Sequence, residues 1–595
     1  MQHVGEDFGQ KIRLVPGGFG ETGYMKESRN SCCRNDDNKE RIMKKKFKKL
    51  LAVVTAAAML VSLSACGGGD KDSGTETKGK DSVTFNIDWP AAIDPGVGSK
   101  SADTIAMLNL YDSLTYPNTD GSVEPLLAEK WDVNDSSTEY TFHLNKDAKF
   151  HSGNPVKASD VKFSMDRLVT MGEGYAYLFT DLLKSTEAVD DQTVKFTLNS
   201  SSGTFPNMLI RLYVLEEDLV MKNLDTSKDT YGDKGDYGKK WLQTNDAGSG
   251  PYKVKEMRTE DSLTMEKNED YWQGWDEYAG APTTAVMMGN LDGTTVRTMI
   301  TRNELDLTDD TQTNESLEAM TKADGVELVR TQTGNNFNIA LNTKSAPTDD
   351  IHVRKAMAYA LDYDQVCESI YQGSTKATGP ILAGIAGSLD SNPYAYDLDK
   401  AKAELKQSKY YDDLISGKKK ITLTYCSEGG DNQEKLALLM QSGLDKIGVT
   451  CEIAGKPFAT MMTDAATVET TPNAAFVVFA GPHLDGGVFL KSRYHSSSCG
   501  SWEQMEWLQS DKIDKEITDA MAIADEKERT AAYEKISEEL IDLCPTIWVA
   551  DTASGFAYRS DNIVKLPVAE KFASGEPFVY AGGYSYYLRE FEVKK

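Results

Sequence analysis

The amino-acid sequence predicts an α/β protein that is built from more than one packed unit. Apolar and polar residues alternate at 82–87, 140–144 and 194–198, as they do in half-buried strands. The segment 421–453 combines strand, helix and strand in the order of a βαβ unit, which is typical of parallel sheets. The chain has 595 residues, more than the roughly 250–300 residues that a single hydrophobic core organises.

Apolar residues at helical spacing predict the helices. Ser159 and Asp160 can cap a helix that carries Val161, Met165 and Leu168 on one face. Asp349 and Asp350 precede an apolar stripe at 353–361. Two further stripes lie at 436–447 and 533–543.

Charge and cysteine content exclude several classes of protein. The net charge of −27 is unfavourable for nucleic acid and for electrostatic attachment to anionic lipid, which both need a positive field. Eight cysteines in a chain of this length do not form a disulfide scaffold. Cys426 and Cys451 lie on successive predicted strands and could be neighbours, although buried free thiols are the simpler expectation. The sequence leaves their pairing open.

The N-terminal part has the pattern of a secretory lipoprotein signal. A basic segment at 43–49 precedes an uncharged stretch at 50–63, and the last residues, Leu-Ser-Ala-Cys at 63–66, resemble a bacterial lipobox. The apolar stretch is shorter than the roughly 20 residues that span a bilayer. The alternative is a short buried helix that happens to end in Cys66.

The segments around this signal complete the predicted N-terminal organisation. Residues 66–82 carry few apolar side chains and are expected to form a flexible tether behind the acylated Cys66. Residues 1–42 lie upstream of a complete signal at 43–65, so we expect translation to start at Met43. Removing residues 1–65 makes the remaining chain more acidic, because that part holds more Lys and Arg than Asp and Glu.

The sequence carries no common catalytic or metal motif. It contains no GxSxG, Walker, HExxH or CxxC pattern, and its six histidines are scattered. His483 and His495 lie near Asp485 and Cys499, but their spacing matches no compact set of metal ligands. The prediction is therefore a protein that is not an enzyme and that holds no metal and no cofactor.

Several blocks of sequence point together to one family. The first block contains LAEKW, YTFHL and KFHSGNPV followed by ASDVKFS, and the last contains LCPTIWV. In order, these blocks resemble the bacterial extracellular solute-binding proteins of family 5, the peptide- and nickel-binding group. The blocks lie at 127–131, 140–144, 149–164, 248–253, 268–272, 339–343, 353–362, 396–405 and 543–549.

The resemblance implies a two-lobed fold like that of the class C (cluster C) periplasmic binding proteins, with a hinge of two crossover strands. Lobe I would combine 83–333 with 547–595, and 119–244 would form an extra subdomain within it. Lobe II would comprise 334–546. The hinge would lie near 334–336 and 545–547, and a bound solute would close the lobes.

The same resemblance implies a function in transport. The protein would be a monomeric, outward-facing substrate-binding component of an ABC importer, held at the cell membrane through its lipid anchor alone. It would capture a small solute, with a peptide as the leading candidate, and deliver the solute to a permease that a separate ATPase drives. Where the cell has two membranes, this location is the periplasm.

The candidate ligand contacts also come from the resemblance. In peptide-binding members, a segment similar to GWxADYPDP crosses the cleft, and its first Asp holds the α-amine of the ligand. Here 476–487 is the corresponding stretch, with Pro482 about where that Asp would be and His483 beside it. Asp485 is either a turn residue before two glycines or a displaced anchor for a cationic ligand. As a loop residue, it would contribute little to stability.

Two further segments are candidate contacts by analogy with the family. One is the loop at 95–100, with Ser99 and Lys100, and the other is the first crossover, with Asn335, Asn336 and Phe337. For each of these segments the alternative is an ordinary loop. The acidic field of the mature chain slightly favours positively charged ligands.

Two other functions remain open at the level of sequence. An anchored extracellular hydrolase would need a nucleophile with its base, or a metal, and the sequence shows neither pattern. A receptor of the same fold could report ligand occupancy to a sensor partner instead of a transporter. Neighbouring permease and ATPase genes would favour transport, whereas a sensor kinase gene alone would favour signalling.

The first testable prediction concerns Cys66. We expect this residue to be diacylated and residues 1–65 to be absent from the mature protein, because one acyl chain anchors only marginally whereas two hold stably. Mass spectrometry of the membrane fraction should find a lipidated N-terminal Cys66. An unmodified peptide that runs through Ala65 and Cys66 in most molecules would contradict the prediction.

Overall fold

The computed structural model describes residues 80–227, 230–574 and 578–595. The predicted signal, Cys66 and nearly all of the predicted tether lie outside these residues. None of the described helices is long and apolar enough to cross a membrane.

The strands form where the sequence alternates, with ends shifted by one or two residues. The clearest shift is in the second strand of the βαβ unit, expected from 449, which begins at Cys451. The strands are β1 (Ser82–Asn86), β2 (Thr115–Pro117), β3 (Val123–Pro125), β4 (Ala128–Val133), β5 (Glu139–Leu144), β6 (Leu183–Asp190), β7 (Thr193–Leu198), β8 (Tyr252–Arg258), β9 (Ser262–Lys267), β10 (Thr284–Met288), β11 (Val326–Leu341), β12 (Thr375–Lys376), β13 (Ile421–Cys426), β14 (Cys451–Lys456), β15 (Ala474–Ala480), β16 (Thr546–Arg559), β17 (Ile563–Lys565) and β18 (Glu592–Val593).

The helices bury the predicted apolar stripes. The helix expected to start after Asp160 begins earlier, so the carboxylate of Asp160 lies in its first turn and accepts the backbone N–H of Lys157. The helices are α1 (Ser101–Leu110), α2 (Ala158–Met171), α3 (Phe205–Met208), α4 (Glu217–Lys222), α5 (Gly293–Thr301), α6 (Asn314–Met320), α7 (Ile351–Ala360), α8 (Tyr363–Gln365), α9 (Leu398–Leu405), α10 (Tyr411–Ile415), α11 (Asp431–Lys446), α12 (Phe458–Asp464), α13 (Gly486–Tyr494), α14 (Asp511–Ala522), α15 (Glu526–Leu543) and α16 (Pro567–Ser574).

Three sheets of four or more strands organise the described residues. The first has the order β1-β10-β9-β8, the second β4-β5-β7-β6, and the third β12-β16-β11-β15-β13-β14. In the third sheet, β13 and β14 are parallel and α11 connects them, which confirms the βαβ unit. The parallel register pairs Cys451 with Ile421 and Cys426 with Lys456, and both cysteines are free thiols.

Two long antiparallel strands join the third sheet to the first. One half of β11 pairs with β16 from Val326 to Gln332, and the other half pairs with both β16 and β15. Leu307 forms bridges to β1 and to β16, which links the first sheet to the far end of the long pair. The register breaks between Gln332 and Asn336, where Gly334 has a φ of 75° that favours glycine. This irregularity lies where the sequence places the first crossover.

The second sheet has a hydrophobic core of its own. Phe142, Phe196 and Phe205 pack together under β4–β7 with α2, and this cluster is separate from the large core that contains β11 and β16. A separate core is what an extra subdomain at 119–244 requires. The boundaries of the two lobes and the subdomain stay a prediction.

A buried ion pair fixes the loop after β1 to α2. Both guanidinium nitrogens Nη1 and Nη2 of Arg167 donate to the carboxylate of Asp94, at 2.6 and 2.7 Å. The side chains are 1% and 2% exposed. The same carboxylate accepts the backbone N–H of Gly96, so the pair also shapes the loop that leads to Ser99.

The second prediction follows from this burial. Replacing Asp94 with Ala leaves the Arg167 charge buried without a partner, which typically costs about 3–5 kcal/mol. Urea denaturation should therefore show a large loss in the free energy of unfolding for Asp94→Ala.

The control lies on the same helix. Asp166→Ala breaks the exposed i,i+4 pair between Lys162 and Asp166, and such pairs contribute about 0.3–0.5 kcal/mol. Equally small losses for Asp94→Ala and Asp166→Ala would contradict the structural role of the buried pair.

Candidate functional site

One cavity brings together two of the predicted contact segments and has a volume of about 700 Å³. One wall comes from Ser99 and the start of α1, from the 3-10 helix Gly174–Leu178 and from Arg211. The opposite wall comes from the segment 479–483 and from α13. The cavity therefore joins the loop at 95–100 with the stretch 476–487, as the family resemblance implies.

The first wall presents hydroxyl and aromatic groups. The carboxylate of Asp103 accepts the backbone N–H groups of Ser99 and Lys100 and so holds the turn into α1. The hydroxyls of Thr104 and Tyr175 lie 2.7 Å apart, and Tyr175 also donates to the carbonyl of Ser99. Tyr177 is 63% exposed, so its ring is available for contact with a bound solute.

The second wall contains a buried neutral histidine. His483 is 1% exposed, and neither ring nitrogen has a hydrogen-bond partner among the described residues. Burial, together with the nearby charge of Arg211, lowers the pKa of His483 to about 3. At neutral pH the imidazole is therefore uncharged and offers one donor and one acceptor.

Arg211 connects the two walls. Its Nε donates to the carbonyl of Pro482 at 3.0 Å, and its Nη1 donates to the carbonyl of Gly582 at 3.1 Å. The guanidinium lies over the rings of Tyr175 and Tyr584, 5.1 and 5.8 Å from their centroids. Sequence reasoning missed this residue, although an Arg inside the apolar run MLIRLYVL at 208–215 is an unusual placement.

Glu503 supplies the acidic group of the cavity. Its side chain is partly buried, and burial raises the pKa of its carboxyl above the ordinary value. The carbonyl of Glu503 accepts a hydrogen bond from Arg493, while the carboxylate makes no salt bridge within the described ranges. The cavity thus holds an acidic and a basic group that the sequence analysis did not identify.

Comparison with protein families decides the identity of the fold. The model for bacterial extracellular solute-binding proteins, family 5 (Middle) matches residues 122–500, which is more than half of the chain. The chain belongs to this family.

Curated relatives of this solute-binding protein bind different solutes. The chain is 28% identical over 467 residues to the protein named probable D,D-dipeptide-binding periplasmic protein DdpA of Escherichia coli, covering 76% of this chain and 85% of the relative. It is also 28% identical over 506 residues to heme-binding protein A of Haemophilus influenzae, covering 80% and 86%.

Solved structures confirm the predicted fold class. The ABC transporter substrate-binding protein CtaP from Listeria monocytogenes matches with a TM-score of 0.71 at 21% identity, covering 87% of this chain and all of CtaP. The periplasmic binding protein DppA from Helicobacter pylori, in complex with the peptide STSA, matches with a TM-score of 0.63 at 23% identity, covering 87% and 99%. This solute-binding protein therefore has the two-lobed α/β fold of periplasmic binding proteins.

Asp485 is neither an exposed turn residue nor a group that faces the cavity. It is 6% exposed and is the N-cap of α13, where its Oδ1 accepts the backbone N–H of Gly487 at 2.8 Å and the hydroxyl of Tyr533 at 3.2 Å. The Nε of Arg529 lies 3.9 Å from Oδ2. Asp485 does not line the cavity, and the premise that it is a free loop residue is wrong, because this buried cap contacts both α13 and α15.

The crossover residues are framework residues. Phe337 is 1% exposed and packs against Tyr371 and Phe476. Asn336 donates to the carboxylate of Asp551 at 2.6 Å, and Asn335 pairs with Ala480 at the end of β15. None of the three residues 335–337 lines the 700 Å³ cavity.

Of the remaining predicted positions, some line the cavity and one does not. Ser99 and His483 line the cavity, whereas Lys100 is exposed beside it and is not part of its wall. Within the described ranges, no group of three or more His, Cys, Asp and Glu side chains could hold a metal ion.

The third prediction tests the role of Asp485 as a cap. Asp485→Ala removes a helix cap, which costs about 0.5–2 kcal/mol, and leaves the buried Tyr533 hydroxyl without its acceptor, which costs about 1–3 kcal/mol more. Chemical denaturation should show a clear loss in the free energy of unfolding without ligand.

A matched cap provides the control. Asp525 caps α15 through the backbone N–H of Glu528 and is exposed, so Asp525→Ala should lose only the cap contribution. An unchanged denaturation midpoint for Asp485→Ala would return Asp485 to the role of a free carboxylate at the cleft.

Proposed function

We propose that this protein is the lipid-anchored substrate-binding component of an ABC importer and that it captures a peptide between its two lobes. The observation that carries the proposal is the cavity of about 700 Å³, whose walls belong to the two different predicted lobes. Its size lies within the range of roughly 300–1,000 Å³ that is usual for small-molecule sites. A relative named for D,D-dipeptides and a structural neighbour that holds a peptide support this class of ligand.

The walls of the cavity suit an extended peptide. Strand β15 pairs with β13 only at Ala474 and Ala475, and the end of β15 with the turn that follows forms part of the wall. Main-chain groups at 479–483 can pair with the backbone of a ligand, which gives affinity without demanding particular side chains. Tyr175 and Tyr177 add aromatic surface for the side chains of the ligand.

Few direct contacts hold the two sides together around the cavity. The Nε of Arg211 donates to Pro482, and the backbone N–H of Gly203 donates to the carbonyl of Met521 at 2.8 Å. The predicted hinge near Gly334 lies away from both contacts along the chain. A solute that touches both walls would add its own interactions to these few bonds and would favour the closed form by its differential affinity.

Transport would follow from the closed form. In the proposed cycle, the closed and loaded protein docks on a permease, a separate ATPase drives release, and diacylated Cys66 keeps the monomer at the outer face of the membrane. The protein itself would need no cofactor for this role.

The fourth prediction uses Gly203 to block closure. A Cβ added at Gly203 would lie 1.9 Å from the carbonyl oxygen of Ile523, so Gly203→Ala should keep the two sides apart. Small-angle scattering should show a smaller radius of gyration for the wild type with its co-purified or added peptide, and no such decrease for Gly203→Ala.

Gly293→Ala is the matched control, because a Cβ at Gly293 meets no described atom closer than 3.6 Å. This variant should compact with ligand as the wild type does. Compaction of Gly203→Ala to the wild-type radius, or no compaction of the wild type at saturating peptide, would contradict closure around a peptide.

A further inference from the structure

A second cavity, of about 330 Å³, lies beside the predicted hinge and shares no lining residue with the 700 Å³ cavity. Gln332 and Gly334 of β11 and Asp551 of β16 form part of its wall. The rest of the wall comes from the segment 373–383 of predicted lobe II and from the C-terminal part of predicted lobe I. This hinge cavity therefore contacts both long strands and both predicted lobes.

The hinge cavity contains a buried carboxylate without a cationic partner. Asp551 is 3% exposed and forms no salt bridge within the described ranges. Its Oδ1 accepts the side-chain amide of Asn336 at 2.6 Å, and its Oδ2 accepts the backbone N–H of Ala383 at 2.9 Å. The buried carboxylates of Asp94 and Glu506, by contrast, each contact an arginine. A carboxylate has about four lone-pair sites, so that of Asp551 can accept further hydrogen bonds.

Two further buried oxygens belong to side chains of the same wall. Oε1 of Gln332 and Oγ1 of Thr378 have no hydrogen-bond partner among the described residues. The strand register keeps the three groups close, because Gln332 pairs with Ala553 and Asp551 pairs with Thr375. A buried polar atom without a partner costs about 1–3 kcal/mol. The wall thus holds three acceptor groups that the described residues satisfy only in part.

The basic group of this wall is engaged elsewhere. Lys376 lines the hinge cavity, but its Nζ donates to the carbonyls of Asn392 and Tyr394. Cys367 lies near the same lysine, and burial raises the pKa of its thiol to about 11, so the thiol is uncharged at neutral pH. The carboxylate of Asp551 is therefore the charged group of the wall that remains available to a ligand.

The charged groups farther from the wall do not change this balance. Arg330 packs against Gly373, and its Nη1 and Nη2 donate to the side-chain oxygen of Asn314. Asp364 and Glu368 are exposed acidic groups near Cys367. Within the described ranges, none of these groups supplies a cation to the buried carboxylate.

We propose that the hinge cavity is a second binding site, which takes a small organic ammonium ion with an apolar body. The three N–H groups of a primary ammonium would donate to Asp551, Gln332 and Thr378. The apolar body would lie against Leu382 and Val579, which are both buried in the same wall. The volume lies near the lower end of the range of roughly 300–1,000 Å³ for small-molecule sites. This inference goes beyond the proposed function, because it concerns a different cavity.

The test uses phenethylammonium and two matched compounds. 2-Phenylethanol has a similar body without the charge, and trimethyl(phenethyl)ammonium keeps the charge without N–H donors. The affinity of the purified wild type for each compound is measured at pH 7.5 by ligand-observed NMR titration. We expect phenethylammonium to bind at least about tenfold more tightly than either matched compound, because hydrogen bonds to a charged group are strong.

Two variants test the assignment to residues. Asp551→Asn should weaken phenethylammonium binding at least about thirtyfold, as for the loss of one partner of a desolvated charge pair. Thr378→Val should weaken it about two- to tenfold, as for a single hydrogen bond. Asp324→Asn is the matched control, because Asp324 is exposed and lies outside the cavity, and it should bind as the wild type does. Thermal melting checks that each variant is folded.

The dependence on pH tests the inference without any substitution. Burial raises the pKa of Asp551 to about 6, so its carboxylate is ionised at pH 7.5 and mostly protonated at pH 5. Phenethylammonium remains charged at both pH values. The wild-type affinity should therefore fall about tenfold from pH 7.5 to pH 5. An affinity that is the same at both pH values would overturn the assignment to Asp551.

Three other results would also overturn the inference. These are equal binding of phenethylammonium and 2-phenylethanol, binding that is unchanged in both Asp551→Asn and Thr378→Val, and displacement of phenethylammonium by a mixture of tripeptides. Displacement would place the ammonium group in the peptide site. If the protein binds no peptide at all, the proposed function fails, while the titrations with phenethylammonium still decide whether the hinge cavity is a binding site.

Discussion

The pairing of two long strands is the constraint on which the rest of the molecule depends. Strands β11 and β16 pair with each other from Val326 to Ala340 of β11. The two ends of this pair contact different parts of the fold. One end joins β15 and the βαβ unit, and the other joins the first sheet through Leu307. Because hydrogen bonds fix both ends, we expect relative motion of the two ends to concentrate at the irregular register near Gly334.

The strand pair also explains why the cavity lies where it does. Strand β15 lies next to β11 in the sheet and ends at Ala480, which pairs with Asn335. The turn from β15 to α13 therefore begins beside the predicted crossover near Gly334. The loop after β1 is fixed on the opposite side by the buried pair of Asp94 and Arg167. The two walls thus face each other, and Arg211 reaches from one wall to the carbonyl of Pro482 on the other.

The electrostatics of the cavity differ from those of the whole chain. The protein carries a net charge of −27, yet Arg211, which joins the walls, is a buried cation that forms no ion pair with an Asp or Glu of the described ranges. Burial keeps His483 neutral, so the basic groups in the cavity lining are Arg211 and the exposed Lys491.

Local patterns in the sequence predict the elements and the family, and fail where tertiary packing decides a side chain's role. Alternation and helical spacing predict β5, β7 and the βαβ unit, because each reports one buried face of a local element. Asp485 looks like a turn residue, since only the packing of Tyr533 against it makes it a buried cap. Arg211 joins the two walls because the fold brings 208–215 against Pro482. The spacing of residues in the sequence does not reveal this long-range contact.

Hydrogen exchange with and without bound solute tests most directly whether the cavity between the two walls is the binding site. We expect the amides at 99–104, 175–178 and 479–483 to be protected together when the solute binds, because these segments line both walls. Protection of one wall alone would contradict capture between the lobes. Protection confined to the separate cavity beside Thr119 and Tyr580 would place the binding site elsewhere in the fold.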